Sequence, residues 1–173
     1  MIPILLKILQ TGVVSEREPA PREDWRVKSE EIQREVLRIL GRALVIREVD
    51  AGSCNGCELE IHQMCGPTYN LEGLGVRFAA SPRHADLLLV TGPVSRHMER
   101  ALRIAYDAMP APKLVVAVGD CGRDGGLFGE SYASCGGVSK VIPVDVVVPG
   151  CPPSPTAILQ GILTAVSSRE TSK

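Results

Sequence analysis

The sequence predicts an α/β protein with a mostly parallel sheet and helices on its faces. From residue 43 onward, short runs of Val, Leu, Ile and Ala alternate with segments of helical spacing, which is the order of strand–helix–strand units. One run, KLVVAVGD (113–120), is almost continuously apolar, as is typical of a strand buried on both faces. We therefore expect one α/β domain at 43–173, preceded by an N-terminal arm at 1–42.

The arm lacks this alternation. MIPILLKILQTG (1–12) has apolar residues at helical spacing and one basic residue, Lys7, so a short helix packed on protein is favoured over a helix lying on a membrane surface. Residues 12–28 are charged and contain two prolines separated by one residue, which indicates an extended linker. A helix is expected at about 30–40, because Ser29 can cap its start and Gly41 follows its last turn.

Strands and helices then follow in turn. Apolar runs predict strands at 43–49, 75–80, 86–92, 113–120 and 144–150. Before the fourth of these, residues 95–109 have Met98 and Leu102 on one face of a predicted helix. A last helix is expected from Ser154 to about Val166, with a proline at its favourable first position.

The composition argues against several classes of function. The 173-residue chain has a formal net charge of −1 and only 3% aromatic residues, so it has neither the positive charge nor the stacking side chains of a nucleic-acid-binding protein. It contains no G-x-G-x-x-G after a strand and no G-x4-G-K-[ST], the motifs that bind nucleotide phosphates. It also lacks H-E-x-x-H and a nucleophile elbow, so hydrolysis has no candidate residues.

Cysteine is the residue type that carries the chemical signal. The chain has six: Cys54, Cys57, Cys65, Cys121, Cys135 and Cys151. Its first residues lack the charged start and the small-residue cleavage site of a secretory signal, so we expect a cytosolic, reducing environment. Clustered cysteines in that environment more often bind metal or do redox work than form disulfides.

Four of the cysteines follow predicted strands. Cys54 and Cys57 come after the first strand, Cys121 after the fourth and Cys151 after the fifth. The carboxyl ends of the strands in an open parallel sheet share one edge, where the loops form the binding crevice. We therefore expect these four thiols to converge there.

Four converging thiolates suit either zinc or a [4Fe–4S] cluster. Structural zinc sites usually take their ligands as two close pairs, whereas only Cys54 and Cys57 form such a pair here. The dipeptide Cys151-Pro152 resembles the Cys-Pro ending of ferredoxin cluster motifs. A thioredoxin-like couple at the close pair would leave the other two thiols without a role. The same loops contain glycines that either let the backbone approach a cluster or serve as ordinary turn residues: Gly52, Gly56, Gly122, Gly125, Gly126 and Gly150.

Four sequence blocks, SCNGCELE, SPRHADLLLVTGP, GDCGRDGGLFGESY and VDVVVPGCPPSPTAIL, resemble the small, cluster-carrying subunit of group 4 membrane-bound [NiFe]-hydrogenases and formate hydrogenlyase-type complexes. That family is similar to the 20 kDa (B) subunit of respiratory complex I. The resemblance spans about Ala43 to Val166 and implies a flavodoxin-like fold that holds one [4Fe–4S] cluster. The ligands that it implies are Cys54, Cys57, Cys121 and Cys151. Cys65 and Cys135 match no ligand position and are expected to be buried small hydrophobes.

The spacing of the first cysteine pair discriminates within this group. Complex I subunits typically carry adjacent cysteines, C-C-x-x-E, whereas this chain has C-N-G-C-E, as in the hydrogenase branch. The resemblance thus implies an electron-transfer subunit of an oxidoreductase complex, with no complete active site on this chain alone. The alternatives are a complex I-like subunit that delivers electrons to quinone and, in another class, a non-redox interaction module with structural zinc.

The resemblance also implies partners and a location. The partners are a large catalytic [NiFe]-type or complex I 49 kDa-like subunit, a ferredoxin-like iron–sulfur subunit and membrane-arm subunits. Such a subunit would be peripheral, on the cytoplasmic side of the cell membrane.

Two acidic residues, Glu58 and Glu60, lie beside the expected ligands. Acidic residues in the first turn of a helix, where they stabilise its dipole, are favoured over groups that carry protons.

The remaining polar residues give weaker signals. His62, His84 and His97 are isolated from one another and are expected to be surface or hydrogen-bonded residues rather than ligands. Arg83 and His84, in the shared block SPRHAD, are candidates for contacting the large subunit or tuning the cluster. Tyr132 is expected to pack.

Overall fold

Five parallel strands form the central sheet in the part of the chain that the structure describes. This computed structural model describes residues 30, 33–34, 37–38 and 41–168. The strands are β1 (Leu44–Asp50), β2 (Val76–Phe78), β3 (Leu87–Thr91), β4 (Leu114–Val118) and β5 (Val146–Val148). They lie side by side in the order β2-β1-β3-β4-β5, and every neighbouring pair is parallel. The predicted α/β class is confirmed.

Helices connect the strands and cover the sheet. Residues 41–168 contain α1 (Gly56–Cys65), α2 (Arg96–Ala108), α3 (Gly119–Asp124) and α4 (Pro155–Ser168). Short 3-10 segments lie at Leu71–Leu74, Pro82–His84 and Val138–Lys140. Among the described residues, every helix is too short or too polar to cross a bilayer.

The predicted elements are confirmed with small shifts at their ends, except at 113–120. That strand ends at Val118 and α3 begins at Gly119. The φ angle of Gly119 is +83°, a conformation that ends an extended segment and is readily adopted only by glycine. The described positions within the helix expected at 30–40 are helical. The expectations for 1–29 lie outside the described residues.

Two apolar layers lie on opposite faces of the sheet. Leu87 and Leu89 of β3 belong to the layer that includes α1 and α4. The intervening Leu88 and Val90 belong to the layer that includes α2. This alternation is the period of two expected along a strand, and it confirms helices on both faces of the sheet.

The strand order is the flavodoxin-like order, in which the direction of winding reverses between β1 and β3. The last residues of four strands are register partners in a row: Asp50 with Thr91, Thr91 with Val118, and Val118 with Val148. The loops that follow β1, β3, β4 and β5 therefore leave the sheet from one level edge.

Helix α4 approaches β5 closely at Gly161. A methyl group added there would lie 2.2 Å from Cγ2 of Val148. Alanine normally stabilises a helix interior by about 1 kcal/mol relative to glycine, but overpacking a core costs about 1–3 kcal/mol. We therefore expect Gly161→Ala to lower the free energy of unfolding in urea, with the exposed neighbour Gln160→Ala nearly neutral. A more stable Gly161→Ala protein would contradict this packing.

Candidate metal centre

The loops that carry four of the cysteines begin along the level carboxyl edge. Cys54 lies in the loop after β1, and Cys57 is the second residue of α1. Cys121 is the third residue of α3, and Cys151 lies between β5 and α4. Cys57 is buried, Cys121 is half-buried, and the other two are exposed. One site at this edge therefore draws on three separate loops.

The other three thiols lie close enough to Cys57 to affect its pKa. Burial, followed by the charges of Glu58, Cys121, Cys54 and Cys151, raises the pKa of Cys57 to about 12. Burial and then the Cys151 and Cys54 thiols also raise the pKa of Cys121. The structure thus brings together the four cysteines that follow the strands.

Two glycines leave no room for a side chain beside these sulfur atoms. A methyl group added at Gly119 would lie 2.8 Å from Sγ of Cys57, and one added at Gly126 would lie 2.9 Å from Sγ of Cys121. Both glycines have positive φ angles, +83° and +52°. Side chains at these two positions would displace the thiols, so glycine is needed for space as well as for conformation.

Aspartate carboxylates hold the loops that carry the cysteines. Asp50 accepts hydrogen bonds from the N–H groups of Gly52 and Ser53, each at 2.8 Å. Asp120 accepts one from the N–H of Gly150 at 3.1 Å. Such side chain–backbone bonds fix loops that have no regular secondary structure of their own.

The other two cysteines lie elsewhere. Cys135 is buried, as expected, and its thiol contacts a carboxylate oxygen of Glu99 at 3.4 Å. Cys65 is exposed, so the expectation of a buried residue is wrong. The buried residues of α1 include Cys57, Ile61 and Met64 at helical spacing, and Cys65 lies one position past this stripe.

A protein-family model described as "NADH ubiquinone oxidoreductase, 20 Kd subunit" matches residues 54–165, a span that contains all four converging cysteines. The chain belongs to this family. The members of this family are subunits of oxidoreductase complexes and are generally iron–sulfur proteins.

Named relatives in this family come from two kinds of complex. The chain is 44% identical over 132 residues to the "Probable membrane-bound hydrogenase subunit mbhJ" of Pyrococcus furiosus, covering 76% of this chain and 79% of that protein. It is 42% identical over 135 residues to "Formate hydrogenlyase subunit 7" of Escherichia coli, covering 78% of this chain but only 53% of that protein. It is 48% identical over 107 residues to a B-type subunit of NADH-quinone oxidoreductase from Anaeromyxobacter dehalogenans, covering 62% of each.

A solved structure supports the same relationship. A chain of the "membrane-bound sulfane sulfur reductase (MBS), an archaeal respiratory membrane complex" superposes with a TM-score of 0.67 at 33% identity. The superposition covers 83% of this chain and 78% of that one. The proteins that this chain resembles are therefore named for different reactions.

The site's donor set fits the iron–sulfur chemistry of this family. Thiolates are soft ligands that suit iron–sulfur clusters and zinc. The raised pKa of Cys57 disfavours its thiolate, and a bound cation would stabilise that thiolate. Within the described residues, no group of three or more His, Cys, Asp and Glu side chains is arranged to hold a metal ion. A structural zinc ion and a [4Fe–4S] cluster both take four thiolate ligands.

Glu58 is a buried acidic residue beside the thiols. It lies in the first turn of α1, as expected, and is 8% exposed. Among the described residues, neither of its carboxylate oxygens has a hydrogen-bond partner. Burial and then the charge of Glu58 raise the pKa of Glu48 on β1. The carboxylates of Glu58 and Glu48 are therefore near one another, close to the cysteine loops.

The other residues singled out from the sequence lie at the surface. Arg83 and His84 precede β3, so they lie toward the amino edge of the sheet, opposite the cysteine loops. His62 and His97 are exposed, as expected, and so is His84. Tyr132 is 97% exposed, so the expectation that it packs is wrong for the described chain.

Sequence reasoning missed Gly119 and the loop aspartates. The only signal for Gly119 in the sequence is its place directly before Asp120-Cys121, at the end of an apolar run that predicts a strand. Asp50 and Asp120 each lie within four residues of a converging cysteine, but aspartate is common in turns. Their hydrogen bonds become visible only in the fold.

Replacing Gly119 tests the contact with Cys57. We expect Gly119→Ala to lose most of the iron that the wild-type chain retains after anaerobic reconstitution, because the new methyl group displaces Sγ of Cys57. Iron and acid-labile sulfide per chain are the measurements.

Gly75→Ala is the matched control for backbone strain. Its φ is +78°, close to the +83° of Gly119, but no atom lies within 4 Å of an added methyl group. Both variants should lose about 1–2 kcal/mol of stability from left-handed strain, whereas only Gly119→Ala should lose iron. Equal iron in the two variants would show that the contact with sulfur is unimportant.

Proposed function

We propose that this chain is the electron-transfer subunit of a membrane-associated oxidoreductase complex, in which Cys54, Cys57, Cys121 and Cys151 bind one [4Fe–4S] cluster. The main support is the position of these four cysteines in three loops at the carboxyl edge of the sheet, with the other thiols near enough to raise the pKa of Cys57 and of Cys121. Family membership points to the same class of cofactor.

The residues around the thiols have two tasks in this proposal. When bound, a [4Fe–4S] cluster supplies reversible one-electron transfer. The buried position of Cys57 and the close backbone of Gly119 limit access of water to that side of the site. Burial and N–H groups near the sulfur atoms set the potential of such a centre, so the glycine-rich loops define its electrostatic surroundings.

The partner is a large catalytic subunit of [NiFe] type. The C-N-G-C-E spacing and the similarity to two proteins named as hydrogenase and formate hydrogenlyase subunits support this choice. On that partner, two protons and two electrons combine to give H2, or the reverse. A ferredoxin-like iron–sulfur subunit and membrane-arm subunits complete the complex, which lies on the cytoplasmic side of the membrane.

In the second candidate function, the electrons pass through a complex I 49 kDa-like partner to quinone. This function is favoured by the 48% identity to a protein named as an NADH-quinone oxidoreductase subunit. Metal analysis of the complex purified with its own partner separates the two. Nickel in the large subunit supports the hydrogenase-type function, whereas its absence together with quinone reduction supports the alternative.

Replacing single cysteines tests the ligand set. We expect serine at position 54, 57, 121 or 151 to abolish most of the broad charge-transfer absorption and the reduced S = 1/2 EPR signal, because a hydroxyl is a harder and poorer ligand for iron than a thiolate. Absorption and EPR spectra of the anaerobically reconstituted full chain are the measurements.

Cys65→Ser and Cys135→Ser are matched controls, since they remove a thiol that lies outside the site. Both should keep the wild-type spectra. The ligand assignment is wrong if either control loses the cluster while one of the four variants keeps it. A colourless wild-type chain loaded with zinc would remove the electron-transfer function altogether.

The segment 127–132, here called the exposed loop, supports a partner beside the thiols. Leu127 and Tyr132 are 96% and 97% exposed. The loop is held in shape, because the N–H of Ser131 donates to the carbonyl of Ser134 and Glu130 pairs with Lys140. It directly follows Gly126, which contacts Cys121. Large apolar side chains on a well-held loop are typical of protein contact sites.

We expect Leu127→Ser and Tyr132→Ser each to weaken binding to the large subunit about 10-fold, or about 1.4 kcal/mol. The affinity of the holo chain for the isolated large subunit, measured by biolayer interferometry, is the test. Ile104→Ser, on α2 and 58% exposed, is the control and should bind like the wild type. Equal weakening in all three variants would show a general effect of lost apolar surface.

A further inference from the structure

Two of the four thiols depend on separate loops for their relative position. Cys54 and Cys57 share one turn of chain, so covalent geometry limits their separation. Cys121 and Cys151 are 30 residues apart and follow neighbouring strands, β4 and β5. Something must hold these two loops together beyond the ends of the strands.

The strand ladder itself stops short of the cysteines. The last paired residues of β4 and β5 are Val118 and Val148. If the register continued, Gly119 would pair with Pro149. Gly119 has a positive φ of +83°, and Pro149 has no N–H to donate. Regular parallel pairing therefore cannot continue through this position.

Asp120 restores the connection one residue later. Its N–H donates to the carbonyl of Gly150 at 2.8 Å, and its Oδ1 accepts from the N–H of Gly150 at 3.1 Å. The residue before Cys121 is thus doubly bonded to the residue before Cys151. Register partners on β4 and β5 differ by 30 in residue number, and Asp120 and Gly150 keep this difference. Cys121 and Cys151 are the residues that directly follow them.

The carboxylate is itself held in place. Nη1 of Arg123, one turn along α3, lies 2.9 Å from Oδ1 of Asp120. Both side chains are partly exposed, so this ion pair adds little stability, but it restricts the rotamers of the carboxylate. Oδ1 therefore stays aimed at the N–H of Gly150.

We propose that Asp120 is a positioning residue that holds the loops of Cys121 and Cys151 at the spacing one cluster requires. The role belongs to its carboxylate oxygen as a hydrogen-bond acceptor that replaces the missing ladder bond. The inference rests on the proposed function, because it needs both cysteines to bind the same group.

The test compares three variants of the full chain after anaerobic reconstitution. Asp120→Ala removes the acceptor, whereas Asp120→Asn keeps an acceptor oxygen and removes the charge. Asp124→Ala removes a carboxylate of the same helix that bonds Gly126 within its own loop and also contacts Arg123. Loss of the charge-transfer band in the presence of an iron chelator gives the rate of cluster release. Urea unfolding of the metal-free proteins reports the fold.

We expect Asp120→Ala to release the cluster about 10-fold faster or more, as is usual when a group that supports a metal ligand is removed. Asp120→Asn and Asp124→Ala should stay near the wild-type rate. The cluster in Asp120→Asn should have a higher midpoint potential, because a negative charge beside Cys121 is lost. A role limited to folding would change the urea midpoint but not the potential.

Other outcomes overturn the proposal. It fails if Asp120→Ala keeps the cluster as long as the wild type, if Asp120→Asn releases it as fast as Asp120→Ala, or if Asp124→Ala matches Asp120→Ala. Should Asp120→Ala not fold, hydrogen exchange of the Gly150 amide in the wild-type chain decides, since fast exchange would show that the bond is not kept. A wild-type chain that binds no cluster removes the proposed function instead, so the two failures are distinct.

Discussion

The parallel pairing of all five strands is the constraint on which the rest of this structure depends. Parallel strands send their carboxyl ends to the same edge, and the register aligns the last residues of β1, β3, β4 and β5 in one row. Cysteines that are nearly 100 residues apart in sequence, from Cys54 to Cys151, therefore lie at the same edge of the sheet. The apolar layers on both faces fix the sheet, and the sheet fixes the starting points of the loops.

Polar contacts hold the loops, and glycines in them leave space where a side chain would not fit. Asp50 and Asp120 accept hydrogen bonds from backbone N–H groups in the loops that carry Cys54 and Cys151, and Gly119 and Gly126 leave room for sulfur. These features give local shape where no core is available. The same edge presents Leu127 and Tyr132 to solvent, so the candidate metal centre and the exposed loop that would contact a partner are continuous.

Much of this fold follows from its apolar pattern. Continuous runs such as 113–120 identify buried strands, and the alternation with helical segments identifies a parallel sheet. The four converging cysteines follow from the same reasoning, because their position after strands decides where they lie. The pattern could not indicate where strand β4 ends, since hydropathy does not report the φ of Gly119. The pattern also could not indicate that Cys65 and Tyr132 are exposed. The burial of a single residue depends on its exact position around a helix or within a hydrogen-bonded turn.

Cys54, Cys57, Cys121 and Cys151 are proposed to bind one cluster together. The most direct measurement is X-ray anomalous scattering at the iron edge from crystals of the reconstituted chain or of its complex. We expect one compact group of four iron atoms, each bound to the sulfur of a different one of these cysteines. A single metal ion, or iron bound through Cys65 or Cys135 in place of any of the four, would contradict this proposal.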